Sequence, residues 1–197
     1  MNRFKSNQTN TFHYVTLVTY NRVPIFLSDH ACEVFVDTLA EVRRRYPYKM
    51  VDYVIMPDHV HAIINRSVDK ISDWLRRVRG NSARQILAWL RDEQHLSSLK
   101  KLELAVPQKR HHTPAVWQKD PFVIDLWSPK FVRQKLKYIH SNPVRAGLCH
   151  QPAEWKWSSY RAYLPHQIGD VPIEIDWQAY WKPEESLEAG YFPPESS

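Results

Sequence analysis

Residues 49–65 have the sequence KMVDYVIMPDHVHAIIN, in which two apolar runs are separated by Pro57 and Asp58. Both runs are rich in β-branched and aromatic residues, the residue types that are most frequent in strands. Proline and aspartate favour a turn, and so short a connection is typical of an antiparallel pair. The stretch therefore predicts two adjacent antiparallel strands, at 49–56 and 59–65.

The second of these strands presents two histidines on one face. Side chains alternate between the two faces of a strand, so His59 and His61 project together. The apolar residues between and beyond them face the other side: Val60, Ala62 and Ile64. Two imidazoles at this spacing can bind one divalent ion. Histidine pairs on strands are also often structural or exposed to solvent, so the pair by itself leaves both interpretations open.

The segments around this pair predict further elements in alternation. Residues 11–20 predict a strand, and a helix is expected from Ser28 or Asp29 to Pro47. Its apolar positions recur at helical spacing: Val34, Phe35, Leu39 and Val42. A second amphipathic helix is expected from Ile71, with a possible interruption at Gly80.

The rest of the chain completes the pattern. Residues 95–114 are expected to form a mobile basic loop, and a fourth strand is expected within 115–126. A last helix begins where Ser128 can cap it and Pro129 occupies its first turn, and it is expected to end at about Asn142, before Pro143. The order strand, helix, strand, strand, helix, strand, helix predicts an α+β fold, with a ferredoxin-like or RRM-like antiparallel sheet flanked by helices.

Charge is distributed unevenly along the chain. The net charge is +6, but residues 166–197 contain seven acidic side chains and one basic, so residues 1–165 carry +12. We therefore expect one basic domain at 1–165 and an acidic, aromatic tail at 166–197. Basic surface gains affinity for a polyanion by releasing its counterions, although an ordinary solvated surface is the alternative. We hypothesise that the tail, with a charge of −6, folds over the basic surface and restrains DNA binding.

Several classes of protein are disfavoured by composition. No apolar run is long enough to span a bilayer, and the polar N-terminus lacks an apolar signal region. A cytoplasmic location and no membrane partner are therefore expected. Only Cys32 and Cys149 occur, too few for a disulfide framework or a cysteine zinc site.

The last predicted helix places a tyrosine beside its buried stripe. The stripe consists of Val132, Leu136 and Ile139. Tyr138 lies nearly a third of a turn away, on a flank that it shares with Lys135 and Asn142. A tyrosine with a purely structural role would usually lie on the stripe or at its margin, but taken alone the position still fits an amphipathic surface tyrosine best.

These motifs together resemble the HUH single-tyrosine transposases, and among them the REP-associated tyrosine transposases. The resemblance rests on YVIMPDHVHAII at 53–64, YIHSNPVRAGL at 138–148 and WKWSSY at 155–160, and it covers about residues 10–163. It implies a metal-dependent single-stranded DNA endonuclease and strand transferase. Members related to insertion sequences act as dimers and REP-associated members can act as monomers, so this chain is expected to be a monomer or a homodimer.

The resemblance also implies roles for individual residues. His59, His61 and Asn142 would ligate Mg²⁺ or Mn²⁺, and Tyr138 would be the nucleophile that forms a 5′-phosphotyrosine bond and releases a 3′-hydroxyl. Lys135 and His140 are candidates to assist proton transfer only because they lie near Tyr138 on the same helix. The expected substrate is single-stranded or hairpin DNA of the REP kind.

Basic side chains are the candidates for DNA binding, since they can follow the phosphates of a single strand while aromatic rings stack on its bases. The candidates are Arg76, Arg77, Arg79, Arg84, Lys109, Arg110, His111, His112 and Lys135. Each could instead belong to a solvated surface. Two rival functions remain: a ferredoxin-like module that binds single-stranded DNA or RNA without cutting, and a hydrolase that activates water. The chain shows no RNP-like aromatic strand, and a hydrolase would need more metal ligands than this motif supplies.

Overall fold

The computed structural model describes residues 11–66, 70–103, 115–164 and 171–176. The strands are β1 (Thr11–Val18), β2 (Lys49–Met56), β3 (His59–Arg66) and β4 (Phe122–Leu126), and the helices are α1 (Asp29–Arg45), α2 (Ile71–Asp92), α3 (Leu96–Glu103) and α4 (Pro129–Arg145). The strands form one sheet in the order β2-β3-β1-β4, and every neighbouring pair is antiparallel. The α+β, ferredoxin-like expectation is confirmed.

Helices cover both faces of this sheet. On one face, residues such as Val15 and Ala62 pack against Phe35 of α1 and Trp74 of α2. We call this the α1/α2 face, and it holds the larger hydrophobic core. On the opposite face, which we call the α4 face, Tyr14, Val54, Ile63 and Leu126 pack against Val132, Leu136 and Ile139 of α4. The sheet therefore lies between two helical layers, and the direction of each strand side chain determines which layer it packs against.

Helix α4 begins as the sequence predicts and ends later. The Ser128 hydroxyl accepts a hydrogen bond from the Phe131 amide at 3.2 Å, and Pro129 lies in the first turn. The expectation that Pro143 ends the helix is wrong, because α4 continues to Arg145. In the last turn a proline removes one amide donor without blocking the residues that follow. Just beyond the end of the helix lies Gly147, whose φ of 69° favours glycine.

Two other expectations on helices are corrected. Helix α2 continues through Gly80 without interruption. Its buried side chains before and after this residue, among them Val78 and Ile86, pack in one core, and this burial outweighs the cost of a helical glycine, about 1 kcal/mol. Within the loop expected at 95–114, α3 forms because Leu99 and Leu102 reach the same core. Residues 104–114 lie outside the described residues.

A segment near the C-terminus lies along the edge strand β2. In residues 171–176 the Ile173 side chain is buried, and the Asp176 amide donates to the carbonyl of Met50. The Asp176 carboxylate accepts hydrogen bonds from Arg43, from Lys49 at 3.2 Å and from the Met50 amide at 2.9 Å. This segment therefore covers part of the β2 edge. No helix in the described parts of the chain is long and apolar enough to cross a membrane.

Candidate active site

His59 and His61 lie on β3 and point toward the α4 face of the sheet. Their neighbours across β1 are Val18 and Thr16. The centroids of the two imidazole rings are 4.7 Å apart, so the expectation that they project together is met. The residues between and beyond them pack on the α1/α2 face, as the alternation predicts: Val60, Ala62 and Ile64.

The His61 imidazole is held by two hydroxyl groups of β1. Its Nδ1 lies 2.8 Å from the Tyr14 hydroxyl and 2.9 Å from the Thr16 hydroxyl. Its Nε2 is buried and has no hydrogen-bond partner among the described residues. Burial first, then the nearby His59 and Lys135, lowers the pKa of His61 to about 3. The ring is therefore neutral at pH 7, and with Nδ1 as the donor its Nε2 lone pair is available to a ligand.

The His59 imidazole is oriented by a carboxylate. Its Nδ1 lies 2.6 Å from Oδ1 of Asp58, and Oδ2 of the same carboxylate accepts a hydrogen bond from Arg22 at 2.8 Å. Partial burial raises the pKa of Asp58, but the hydrogen bonds from His59 and Arg22 outweigh it and hold that pKa below its usual value. A carboxylate on Nδ1 fixes the tautomer that leaves Nε2 for a metal ion.

Tyr138 of α4 reaches the same place from above the sheet. Its ring centroid lies 5.4 Å from that of His61 and 6.4 Å from that of Tyr14. The side chain contacts His61 and, at 38% exposed, still reaches solvent. Asn142 follows one turn later on the same flank of α4, and its side-chain amide nitrogen is buried without a partner among the described residues. The structure thus brings the predicted nucleophile against the predicted metal ligands.

The donor set suits a divalent ion of intermediate hardness. Buried polar atoms almost always find partners, so the unpaired Nε2 of His61 indicates room for a ligand, and Asn142 would contribute its amide oxygen. Imidazole and amide groups are both accepted by Mn²⁺, while Mg²⁺ favours oxygen. In the described ranges no three His, Cys, Asp or Glu side chains cluster around one point, so the amide of Asn142 would have to supply the third ligand.

Positive charge lies on both sides of the Tyr138 ring. Lys135 Nζ is 5.6 Å from the ring centroid and 4.6 Å from that of Tyr14, and the Arg145 guanidinium carbon is 5.7 Å from the Tyr138 ring. These cations can attract a phosphate to the phenol. Sequence reasoning missed Arg145, although its place seven residues after Tyr138, on the same side of the helix, is a usable signal.

The arginines of α2 are not part of this cluster. Helix α2 packs on the α1/α2 face, so the sheet separates it from Tyr138. Arg76 is exposed beside Asp73, Arg84 bonds to Asn81, Arg79 donates to the carbonyl of Gln118, and the Arg77 guanidinium lies 3.6 Å from the ring centroid of Tyr46. Of the loop candidates, Lys109, Arg110, His111 and His112 lie outside the described residues.

His140 occupies a different setting from the one suggested for proton transfer. Its side chain is 3% exposed, and Nε2 lies 2.7 Å from Oδ1 of Asp52 in the core. The Ser159 hydroxyl donates to the same carboxylate. Burial raises the pKa of Asp52, against the opposing effects of His140 and Ser159. This group joins α4 to β2 and to the segment after α4.

Comparison with known proteins decides the family. The family model described as "Transposase IS200 like" matches residues 7–142, a span that includes His59, His61, Tyr138 and Asn142. The chain belongs to this family. This IS200-like transposase is also 22% identical, over 170 residues, to a Haemophilus influenzae protein named as a REP-associated tyrosine transposase. That alignment covers 84% of this chain and 86% of the relative.

One solved structure shares the fold of this IS200-like transposase, and a second is less similar. A REP-associated tyrosine transposase bound to a REP hairpin superposes with a TM-score of 0.64 at 18% identity, over 90% of this chain and 93% of that one. A transposase from Deinococcus radiodurans gives a TM-score of 0.45 at 20% identity, over 72% of this chain and 97% of the other. The first of these confirms the fold expected from the resemblance.

Proposed function

We propose that this transposase nicks and rejoins single-stranded DNA in a metal-dependent reaction, with Tyr138 as the nucleophile. The observation that carries the proposal is the contact of an exposed tyrosine with His61, whose Nε2 is buried and unpaired among the described residues. A purely structural histidine would have both ring nitrogens satisfied. The proposed substrate is hairpin DNA with an unpaired flank, similar to REP elements.

The ion would be held by Nε2 of His59, Nε2 of His61 and the side-chain amide of Asn142. When bound, a divalent ion polarises the scissile phosphate and offsets the charge that develops on its oxygens. The fixed hydroxyls of Tyr14 and Thr16 on one ring, and the Asp58 carboxylate on the other, hold the two imidazoles ready for this role.

The chain's own residues carry the covalent step. The Tyr138 phenol loses its proton to solvent, which its exposure permits, and its oxygen attacks the phosphorus. The bond from phosphorus to the 3′-oxygen breaks, and that oxygen leaves as a 3′-hydroxyl after taking up a proton. The DNA 5′-phosphate is then joined to Tyr138, and attack by a 3′-hydroxyl reverses the step and restores the free phenol. Lys135 and Arg145 beside the ring attract the phosphate.

Two further observations support a DNA substrate. The body of the chain carries a charge of +12 over residues 1–165, as expected for a partner with many phosphates. A solved structure with the same fold is described as bound to a REP hairpin. A non-catalytic module would share the charge and the fold, but it would not need an exposed tyrosine against a buried histidine with an available nitrogen.

The test is covalent trapping. The protein is incubated with hairpin oligonucleotides that carry unpaired flanks and with Mn²⁺, and a denaturing gel is examined for a protein–DNA adduct. We expect an adduct with the wild-type chain and none with Tyr138→Phe. Tyr46→Phe is the matched control, because Tyr46 is 39% exposed against 38% for Tyr138 and lies at the end of α1.

Three outcomes separate the candidates. An adduct that persists in Tyr138→Phe would contradict the assignment of the nucleophile. Loss of the adduct in Tyr46→Phe as well would show that the substitutions act through general damage to the fold. Tight binding of hairpins that yield no adduct under any metal condition would favour the non-catalytic binding module.

A further inference from the structure

A row of side chains runs along one flank of α4 from its start to the candidate nucleophile. Phe131, Lys135, Tyr138 and Asn142 are spaced by four, three and four residues, so they lie on the same side of the helix. Trp127 precedes the helix, and its ring contacts that of Phe131 in a tilted arrangement, with centroids 4.9 Å apart and an interplanar angle of 51°. The row therefore continues from the active site to a tryptophan at the N-terminal end of α4.

This tryptophan is unusually open to solvent. Trp127 is 79% exposed, and Phe122 on the neighbouring strand β4 is 55% exposed. Phe122 lies near the candidate active site, since its ring centroid is 6.4 Å from that of Tyr14. A single exposed apolar side chain needs no explanation, but a contacting pair of aromatic rings, Trp127 and Phe131, on the flank of α4 that leads to Tyr138 indicates a ligand surface.

The charge around the rings indicates the kind of ligand. Helix α4 has five basic residues and no acidic one. The Nζ of Lys135 lies 5.7 Å from the Phe131 ring and 4.6 Å from the Tyr14 ring. Cations that bind phosphates, next to aromatic faces that stack on unpaired bases, are the combination by which proteins bind single strands. A second copy of this chain fits less well, because two α4 helices would bring like charges together.

We propose that Trp127, supported by Phe131, is a stacking platform for an unpaired base of the DNA strand, and that Lys135 binds a phosphate beside it. This inference rests on the proposed function only in taking single-stranded DNA as the substrate. It extends the contact surface from Tyr138 over the whole exposed flank of α4.

Equilibrium binding without divalent ions tests the platform separately from cleavage. Two fluorescent 20-mers serve as probes: oligo(dT), and a chain of abasic nucleotides with the same phosphates and no bases. Trp127→Ala should weaken binding of oligo(dT) about 5- to 100-fold, the range for losing one stacked base, and should leave binding of the abasic chain nearly unchanged. Trp127→Phe should keep most of the wild-type affinity, because a phenyl ring still stacks.

Salt dependence separates stacking from charge. Trp127→Ala should shift the plot of log K against log salt without changing its slope, whereas Lys135→Gln should reduce the slope by about 0.7, the value for one phosphate contact on a single strand. Leu96→Ala is the control: Leu96 is 70% exposed and lies on α3, whose buried residues pack in the core of the α1/α2 face. Its affinities should equal those of the wild type.

Equal losses on both probes, or a Trp127→Phe variant as weak as Trp127→Ala, would overturn the platform. A second result would also overturn the platform: Trp127→Ala leaves the DNA affinity unchanged, and sedimentation shows that it converts a wild-type dimer to a monomer. That result would place the Trp127 ring in a contact between two copies of the chain. If the wild-type chain binds neither probe, the substrate class fails and the platform fails with it. If binding depends on Trp127 but no covalent adduct forms, the stacking platform is supported and the proposed nicking activity is contradicted.

Discussion

Two buried histidines under α4 differ in what surrounds their rings. His61 is 4% exposed and His140 is 3% exposed, so burial does not distinguish them. The Nε2 of His140 lies 2.7 Å from the Asp52 carboxylate, whereas the Nε2 of His61 is buried without a partner among the described residues. A buried histidine is therefore a candidate metal ligand when one ring nitrogen is hydrogen-bonded and the other has no partner.

The surroundings of the two histidines fit this distinction. His140 is enclosed by the rings of Tyr160 and Tyr163, with centroids at 5.1 and 5.2 Å. Its carboxylate partner also accepts a hydrogen bond from Ser159, so the group links three parts of the chain. The His61 group faces an exposed tyrosine. We therefore expect substitutions at the first group to change stability and substitutions at the second to change chemistry.

The largest effect is expected on adduct formation when a metal ligand is removed. His59→Ala should reduce the rate of adduct formation by about a hundred- to a thousandfold, since a preorganised electrostatic contribution is lost. Its side chain is only partly buried, so the free energy of unfolding should change by less than about 1 kcal/mol. Adduct yields on denaturing gels and urea unfolding measure the two quantities. A large loss of stability would show that both histidine groups are structural.

The next effect is expected on stability at the enclosed group. His140→Ala leaves the Asp52 carboxylate buried without its partner, and breaking such a pair costs about 3–5 kcal/mol. The melting temperature should fall by roughly 10 °C. The control is Asp125→Asn at a second pair, in which His13 lies 2.8 Å from a carboxylate that is 29% exposed; its effect should be smaller. If His140→Ala lost the adduct but kept its stability, the assignment of His140 to a structural role would be contradicted.

A smaller effect is expected from the hydroxyls that orient His61. The double variant Tyr14→Phe/Thr16→Val removes both partners of Nδ1, and loss of such supporting contacts weakens metal affinity about 10- to 100-fold. The concentration of Mn²⁺ that gives half-maximal adduct should rise by that factor. An unchanged Mn²⁺ requirement would mean that these hydroxyls do not set the orientation of the ring.

The smallest effect is expected on α2, on the other side of the sheet. If the exposed Arg76 and Arg84 contact phosphates, each change to alanine should lower the salt slope of single-strand binding by about 0.7. Adduct yield at saturating DNA should stay the same, because the sheet separates α2 from Tyr138. Unchanged slopes would assign these arginines to a solvated helix face.

Local patterns predicted the elements that carry the site. The turn at Pro57 and Asp58 and the alternation around His59 placed β2 and β3 to within one residue of the structure. The cap at Ser128 placed the start of α4. The sequence did not reveal α3, since its two buried leucines stand among lysines and serines and gain their burial only by packing against the larger core.

The sequence predicted those features of the candidate site that depend on one strand or one helix alone. Alternation put His59 and His61 on one face, and helix phase put Tyr138 off the buried stripe. The hydroxyls that hold His61 were missed because Tyr14 and Thr16 reach it only through the register of β1 against β3, which depends on tertiary pairing. For the same reason, periodicity could not show that the α2 arginines lie across the sheet from Tyr138.

The segment 171–176 affects whether the edge of β2 can pair with strands of other protein molecules. Asp176 bonds to the backbone amide and carbonyl of Met50 and to the side chains of Arg43 and Lys49. It therefore occupies backbone positions that an edge strand would otherwise leave open to a strand of another chain. Residues 171–176 therefore reduce the length of unpaired β2 edge that another copy of the chain could pair with.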